Sequence, residues 1–288
     1  MGQGRERSLQ KYTVRMILST ASPLLHGGVP LFAALLAVGG YLVAALPPAT
    51  AGRASAVALV LGWAMHLVVL VFDIGGWGQP LPGARLGFAP VLSMTIWLVV
   101  AVHTVESRLV PLPAVRRWLA LAGAVAVLLA AAFPGEPRQY ASPLAPLHFA
   151  LGVGSYGLFG AAVLHASMLD AAERRLRLRT GSPVAAMGMP LLQLERLTFR
   201  FVEAGFTVLT ATLLLGVVTA TQWRLDLHKT VFSLLAWGVF AALLIGRHRR
   251  GWRGRRATRW LYAGALLLLL AYVGSRFVFE VLLGRLPA

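Results

Sequence analysis

Cysteine is absent from the chain, and charged residues are scarce, at 13% of its 288 residues. Without cysteine the chain can form no disulfide, no thiolate metal site and no thiol redox centre, which leaves imidazole as the natural metal ligand. Soluble domains carry about 25% charged residues. A content near half of that value indicates that much of this chain lies in lipid rather than in water.

Acidic residues are especially few, with 10 Asp and Glu against 27 Lys and Arg, which gives a formal charge of +17. Such an excess is also seen in proteins that bind nucleic acid. In a chain that is 58% hydrophobic, however, basic loops on one side of a membrane explain the excess better. We therefore predict no nucleic-acid partner and expect the lipid bilayer to be the chain's surroundings.

Long apolar runs are what the chain has in abundance. Runs of about 20 residues recur along its whole length, as is typical of spanning helices, and the alternation of outer-membrane barrels is missing. The sequence predicts an all-α fold, a polytopic membrane helix bundle of about eight transmembrane helices. It forms a single domain over 28–288 after a basic tail over 1–27. The predicted spans are 29–47, 54–73, 87–107, 117–133, 147–170, 201–221, 228–246 and 260–283.

One shorter element is predicted ahead of the sixth span. Pro190 is followed by Leu191, Leu194 and Leu197, with charged residues between the leucines. Proline in the first turn and this leucine spacing are typical of a short amphipathic helix. We expect that helix to lie on the membrane surface.

The orientation follows from the basic loops. Arginines concentrate after the first, third, fifth and seventh spans, and such loops are cytoplasmic. Both termini are therefore predicted on the outer side, which is the periplasm in a Gram-negative source. The tail over 1–27 disagrees, since it carries four basic residues. A true start at Met16 or a tail lying along the surface would reconcile it, and it does not resemble a cleaved signal peptide.

Histidines are the residues most able to carry chemistry in such a bundle. Ionisable groups inside a membrane are costly and mark functional sites, although a single imidazole can simply hydrogen-bond a neighbouring helix. His66, His148 and His228 are predicted near the outer face, where they could converge on one pocket. His103 and His165 lie nearer the cytoplasmic ends, either as a second tier or as packed core residues.

Imidazoles from several helices in an apolar lining suit haem iron, and in principle zinc or copper. No HxxH, HxxEH or HExxH spacing occurs. The residues alone leave the metal open, with His66, His148 and His228 as its candidate ligands. No nucleophile, base and orienting group stand together, so an enzyme is not predicted. A transporter or scaffold without haem remains the alternative.

An ordered series of short segments extends over roughly residues 145–280. It includes LERLTFR at 194–200, Gly205-Phe206, Leu209-Thr210, Gly216, Lys229-Thr230, Trp237, Gly246-Arg247 and GWRGRRA at 251–257. In order and spacing this series is similar to the cytochrome c assembly (CcsA/CcmC-like) family, and the eight spans are most similar to the HemX/YpjD-type subgroup. The resemblance implies a haem-binding protein of the bacterial inner membrane, accessory to cytochrome c assembly or haem handling, with maturation proteins as partners. It also implies a non-covalent b-type haem, with His66, His148 and His228 as candidate axial ligands and the ligand pair left open.

One segment departs from that family. The haem-delivering members have a tryptophan-rich outer loop, WGxxWxWD, before the lysine. In this chain residues 223–228 read WRLDLH, so that one tryptophan and one aspartate remain. The difference argues against direct transfer of haem to an apocytochrome and leaves haem binding in place.

Overall fold

The computed structural model describes residues 28–75, 84–107, 113–134, 137–138, 144–178, 190–219 and 227–278. The basic tail over 1–27 lies outside them. Two short strands, β1 (Ala84–Arg85) and β2 (Pro137–Arg138), pair antiparallel. The helices are α1 (Val29–Ala44), α2 (Pro48–Gly75), α3 (Phe88–Glu106), α4 (Pro113–Ala132), α5 (Ala145–Arg177), α6 (Leu191–Thr219), α7 (Leu227–Arg250), α8 (Gly254–Leu269) and α9 (Ser275–Phe277), with a π-helical segment, Leu270–Gly274, between the last two.

The predicted helical membrane bundle is confirmed. Within the described residues, seven helical stretches are long and apolar enough to cross a bilayer. Helix α1 is also apolar but has 16 residues, so it extends roughly 24 Å, a little less than the hydrocarbon core. The seven stretches are Arg53–Gly75, Phe88–Glu106, Val115–Ala132, Ala145–Arg177, Leu191–Val218, Lys229–Arg250 and Gly254–Phe277.

Helix α6 differs from its prediction at its start. The separate surface helix expected after Pro190 is wrong, because the chain is helical without a break over Leu191–Thr219. Leu194 is completely buried, and it packs against Met168 and Leu169 of α5. Burying Leu194 against a neighbouring helix stabilises the continuation of the span from Leu191 onwards.

Polar contacts join neighbouring helices at the end of the bundle where most arginines lie, which we call the arginine-rich end. Arg247 of α7 donates to Glu195 of α6 over 2.8 Å. Asp170 of α5 accepts from the hydroxyls of Thr258 and Tyr262 in α8, at 3.0 and 2.9 Å. The end is named for Arg174, Arg175, Arg177, Arg247, Arg249, Arg250, Arg253, Arg255, Arg256 and Arg259. Its assignment to the cytoplasm stays a prediction from the charge count.

Helices α1 and α2 approach each other through glycine. A Cβ built on Gly40 would lie 2.9 Å from the Ala58 carbonyl oxygen and 2.9 Å from the Gly62 Cα. Backbones this close leave no room for a side chain, and small residues are what allow such packing in membranes. Helix α2 is tied to α3 as well, since the Trp63 and Trp97 indoles stack and each donates to the other residue's carbonyl oxygen, at 3.2 and 3.0 Å.

Candidate functional site

A cavity of about 530 Å³ lies at the end of the bundle opposite the arginine-rich end. It is formed by the first turns of α3, α5 and α7, the last turns of α6, and the α8 end with the π-helical segment. Pockets for small molecules commonly measure about 300–1,000 Å³ and have a mostly apolar lining with a few polar groups. This cavity has that character, with an apolar lining that includes Val91, Phe149, Val153, Leu209, Leu213 and Leu268.

His148 is the histidine that the described structure places in this cavity. It stands in the first turn of α5, and its Nδ1 is buried without a hydrogen-bond partner among the described residues. The ring rests on Gly216 of α6, where an added Cβ would come within 3.0 Å of the imidazole Cε1. Buried polar atoms in proteins are nearly always satisfied. A buried nitrogen without a partner in a cavity is therefore suited to bind a ligand.

The polar remainder of the lining comes largely from α7. Lys229, Thr230 and Ser233 recur at helical spacing along its first two turns, so that they present one face to the cavity. Thr212 of α6 adds another hydroxyl, which donates to the carbonyl oxygen of Val208. Among the described lining residues, Lys229 is the one with a full charge.

The π-helical segment forms one wall of the cavity through Ala271 and Tyr272. The Tyr272 hydroxyl donates to the Leu86 carbonyl oxygen over 3.2 Å, and the Tyr156 hydroxyl donates to the Leu268 carbonyl oxygen. Single π-helical turns inside α-helices often occur at functional sites. Here side-chain hydroxyls hold the irregular backbone in place beside the cavity.

His66 lies within the second span, between helices of the bundle. It is completely buried between helices, with Nδ1 3.0 Å from the Tyr41 hydroxyl and Nε2 2.7 Å from Ser93 Oγ. Both ring nitrogens thus take part in hydrogen bonds that join α2 to α1 and α3. His66 is not among the described residues that line the cavity. The expected convergence of His66 with His148 on one pocket is therefore not found.

The third predicted ligand, His228, belongs to the first turn of α7, which begins at Leu227. Its side chain lies outside what the structure describes, as does the 220–226 segment with the reduced tryptophan motif. Of the three candidates, His148 alone is thus placed in the cavity by the described residues.

His103 and His165 are buried towards the arginine-rich end. His165 Nδ1 donates to the Ala161 carbonyl oxygen over 2.7 Å, and its Nε2 lies 3.1 Å from Glu106. His103 is buried without a described partner for either nitrogen. No group of three or more potential metal ligands occurs in the described part of the chain. The contact between His165 and Glu106 therefore joins α5 to α3.

The fold and the cavity define a class: a multi-pass helical membrane protein with an apolar ligand cavity at one end of its bundle. The family model described as cytochrome c assembly protein matches residues 51–283. The chain belongs to the cytochrome c assembly protein family, and this membership supports a role in cytochrome c biogenesis. The family predicted from the C-terminal segments is confirmed.

Individual relatives are similar over different lengths. The inner membrane protein YpjD of Escherichia coli (strain K12) is 30% identical over 242 residues, which cover 80% of this chain and 88% of YpjD. The cytochrome c biogenesis protein CcsA of Prochlorococcus marinus (strain MIT 9303) is 37% identical over 87 residues, or 28% of this chain and 27% of CcsA. No solved structure matches the chain. The apolar helices and the YpjD match together support a multi-pass protein of the inner membrane.

Proposed function

We propose that this chain is a haem-binding accessory of cytochrome c assembly or related haem handling, and that the cavity around His148 is its haem site. The observation that carries the proposal is that His148 lines an apolar cavity and that its buried Nδ1 has no described hydrogen-bond partner. Imidazole is a common axial ligand of haem iron. Membership in the cytochrome c assembly family supports the choice of ligand.

The residues present fit a haem. The lining offers apolar side chains from five helices for the macrocycle, and His148 offers the iron a nitrogen ligand. When bound, the haem would supply an iron centre able to change oxidation state, and the chain would set its surroundings by ligand type and burial. The protein's own part is to hold the imidazole against Gly216 and to keep water from the apolar faces.

For a second axial ligand we propose His228, because it belongs to the first turn of α7, one of the helix ends that form the cavity. His66 is the weaker candidate, since it would have to give up its hydrogen bond with Tyr41 or Ser93.

We propose that the cavity and both termini lie on the periplasmic side, as the charge distribution predicts. Cytochrome c maturation proteins are the proposed partners. The protein acts by binding haem rather than by catalysing a reaction.

Filling the cavity tests the proposal. Gly152 lines it, and a Cβ at that position meets its nearest neighbour, Thr212 Cγ2, at an ordinary 3.7 Å. Gly152→Leu should therefore fold but occupy space that the haem needs, and we expect haemin affinity to fall at least about ten-fold, as overpacking of a site costs about 1–3 kcal/mol. Titration of purified protein with haemin, followed by the Soret band, measures the change.

The control is Gly238→Leu on α7, where an added Cβ meets no atom within 4 Å. It adds the same bulk to a helix away from the cavity lining and should bind haemin as the wild type does. The haem-site assignment would be contradicted if Gly152→Leu bound haemin with wild-type affinity. It would also be contradicted by a wild-type protein that gives no Soret band at all.

A further inference from the structure

Lys229 is the charged residue among the described lining residues of the cavity, and it is not one of the proposed iron ligands. We infer that it selects the ligand by pairing with a carboxylate, so that the cavity takes macrocycles carrying free acid groups and rejects their esters. The inference rests on the proposed function and adds a determinant of specificity to it. For haem, the groups concerned are the two propionates at one edge of the ring.

The position of Lys229 is not explained by membrane orientation. It lies in the first turn of α7, at the end opposite Arg247, Arg249 and Arg250. Eighteen residues of helix separate Lys229 from Arg247, roughly 27 Å at the α-helical rise. This is well beyond the distance of about 8–10 Å over which exposed charges interact in physiological salt. The rule that places basic residues on the cytoplasmic side accounts for the arginines. It does not account for a lysine lining an apolar cavity.

The imidazole and the ammonium group of the cavity lining lie at one level, and the lining farther along the helices consists of apolar side chains and hydroxyls. His148, Gly216 and Lys229 stand in the terminal turns of α5, α6 and α7, and therefore at one level of the bundle. Farther along these helices the lining includes Val153 and Leu209, both almost completely buried. A ligand with an apolar body and an acidic edge matches this order. Its acid groups would lie beside Lys229 and its apolar faces between the deeper side chains.

Other charged side chains at this end of the bundle add to the positive charge of Lys229. Arg276 is buried one turn beyond Tyr272, with its guanidinium carbon 5.7 Å from that ring. At this end Asp73 is buried as well, and it interacts electrostatically with Arg85. The described side chains here thus carry more positive than negative charge. An ionised carboxylate in an apolar cavity needs such a partner, and charge-assisted hydrogen bonds are about twice as strong as neutral ones.

The test compares acid and ester forms of one macrocycle. Full-length wild-type protein in detergent is titrated with haemin and with haemin dimethyl ester, followed by the Soret band. We expect the ester to bind about ten- to hundred-fold more weakly, the range for loss of a charge-assisted hydrogen bond. Lys229→Met should weaken haemin binding by a similar factor and leave ester binding unchanged. Lys229→Arg keeps the charge and should retain a preference for the acid.

Two further arms separate this inference from the haem assignment. Protoporphyrin IX and its dimethyl ester contain no iron, so fluorescence titration should give the same acid preference in His148→Ala as in the wild type. Arg249→Met, an exposed change at the arginine-rich end, is the charge-loss control and should alter neither affinity. Size-exclusion profiles and thermal unfolding confirm that each variant is folded.

The outcomes are distinct. Equal affinity of the wild type for acid and ester, with a Soret band in both cases, would overturn the role of Lys229 and leave the haem site standing. A preserved acid preference in folded Lys229→Met would do the same. If no macrocycle binds the wild type, the proposed function itself fails and takes this inference with it.

Discussion

His148→Ala is expected to remove most of the haem that accompanies the protein from haem-replete cells. The reason is that the substitution deletes the only imidazole that the described structure places in the cavity, while the apolar lining stays intact. Loss of an axial ligand removes the bond to iron that fixes a haem in its site. We expect the ratio of Soret absorbance to protein absorbance to fall at least about ten-fold, the lower end of what even supporting residues of metal sites contribute.

His66→Ala is the matched comparison because it removes an imidazole of the same kind from another part of the bundle. Its hydrogen bonds to Tyr41 and Ser93 join three helices, and hydrogen bonds between membrane helices are worth about 0.6 kcal/mol on average and up to about 1.7. We expect this variant to retain haem and to unfold at a lower temperature. The reverse pattern, with haem kept in His148→Ala and lost in His66→Ala, would assign the site to His66.

Gly40→Leu is expected to have the largest effect on stability. A side chain at this position would meet the backbone of α2 at 2.9 Å, and backbone cannot move aside as a flexible side chain can. The two helices would have to separate, which breaks the contacts of the buried Ala37 and Tyr41 in the same cluster. We expect the free energy of unfolding to fall by about 3 kcal/mol or more, at the upper end for overpacking.

The preceding residue provides a control for Gly40→Leu. A Cβ on Gly39 meets no atom within 4 Å, so Gly39→Leu adds the same bulk on a face that has room for it. Its effect should stay within about 0.5 kcal/mol, as for other open positions. Denaturation of the purified variants in mixed detergent measures both. Equal losses in the two variants would mean that α1 and α2 do not pack through Gly40.

The spans were predictable because length and hydropathy decide them. Each predicted span overlaps one of the helices α1 to α8, and the error at α6 has a definite cause. Charged residues around Leu194 suggested a surface helix, yet Glu195 is neutralised by Arg247 at 2.8 Å. That contact joins residues far apart in the chain, so a local pattern could not reveal it.

The position of each histidine was harder to predict than the spans. Depth in the membrane follows from sequence, and it correctly put His148 near the end of its helix. The sequence does not show which side of a spanning helix faces the bundle interior, because lipid and protein interior are both apolar and the helix has little amphipathic pattern. His66 therefore could not be separated from His148 until its hydrogen bonds with Tyr41 and Ser93 were visible.

The sequence pointed to some residues of the cavity but not to the cavity itself. Lys229 and Gly216 belong to the segments that carry the family resemblance, but nothing local shows that they share a wall with His148. That juxtaposition depends on how α5, α6 and α7 pack. The π-helical segment after Leu269 is equally invisible locally, since it depends on long-range contacts such as the hydrogen bond from Tyr156 to the Leu268 carbonyl oxygen.

Rescue of His148→Gly by free imidazole tests the haem site most directly. The glycine removes the side chain and leaves a space that imidazole can enter, so haemin titrations without and with imidazole report on the ligand alone. The structure predicts a weak, shifted Soret band without imidazole and a wild-type band once imidazole is added. A wild-type spectrum in His148→Gly before any imidazole is added would contradict the assignment of His148 as the iron ligand.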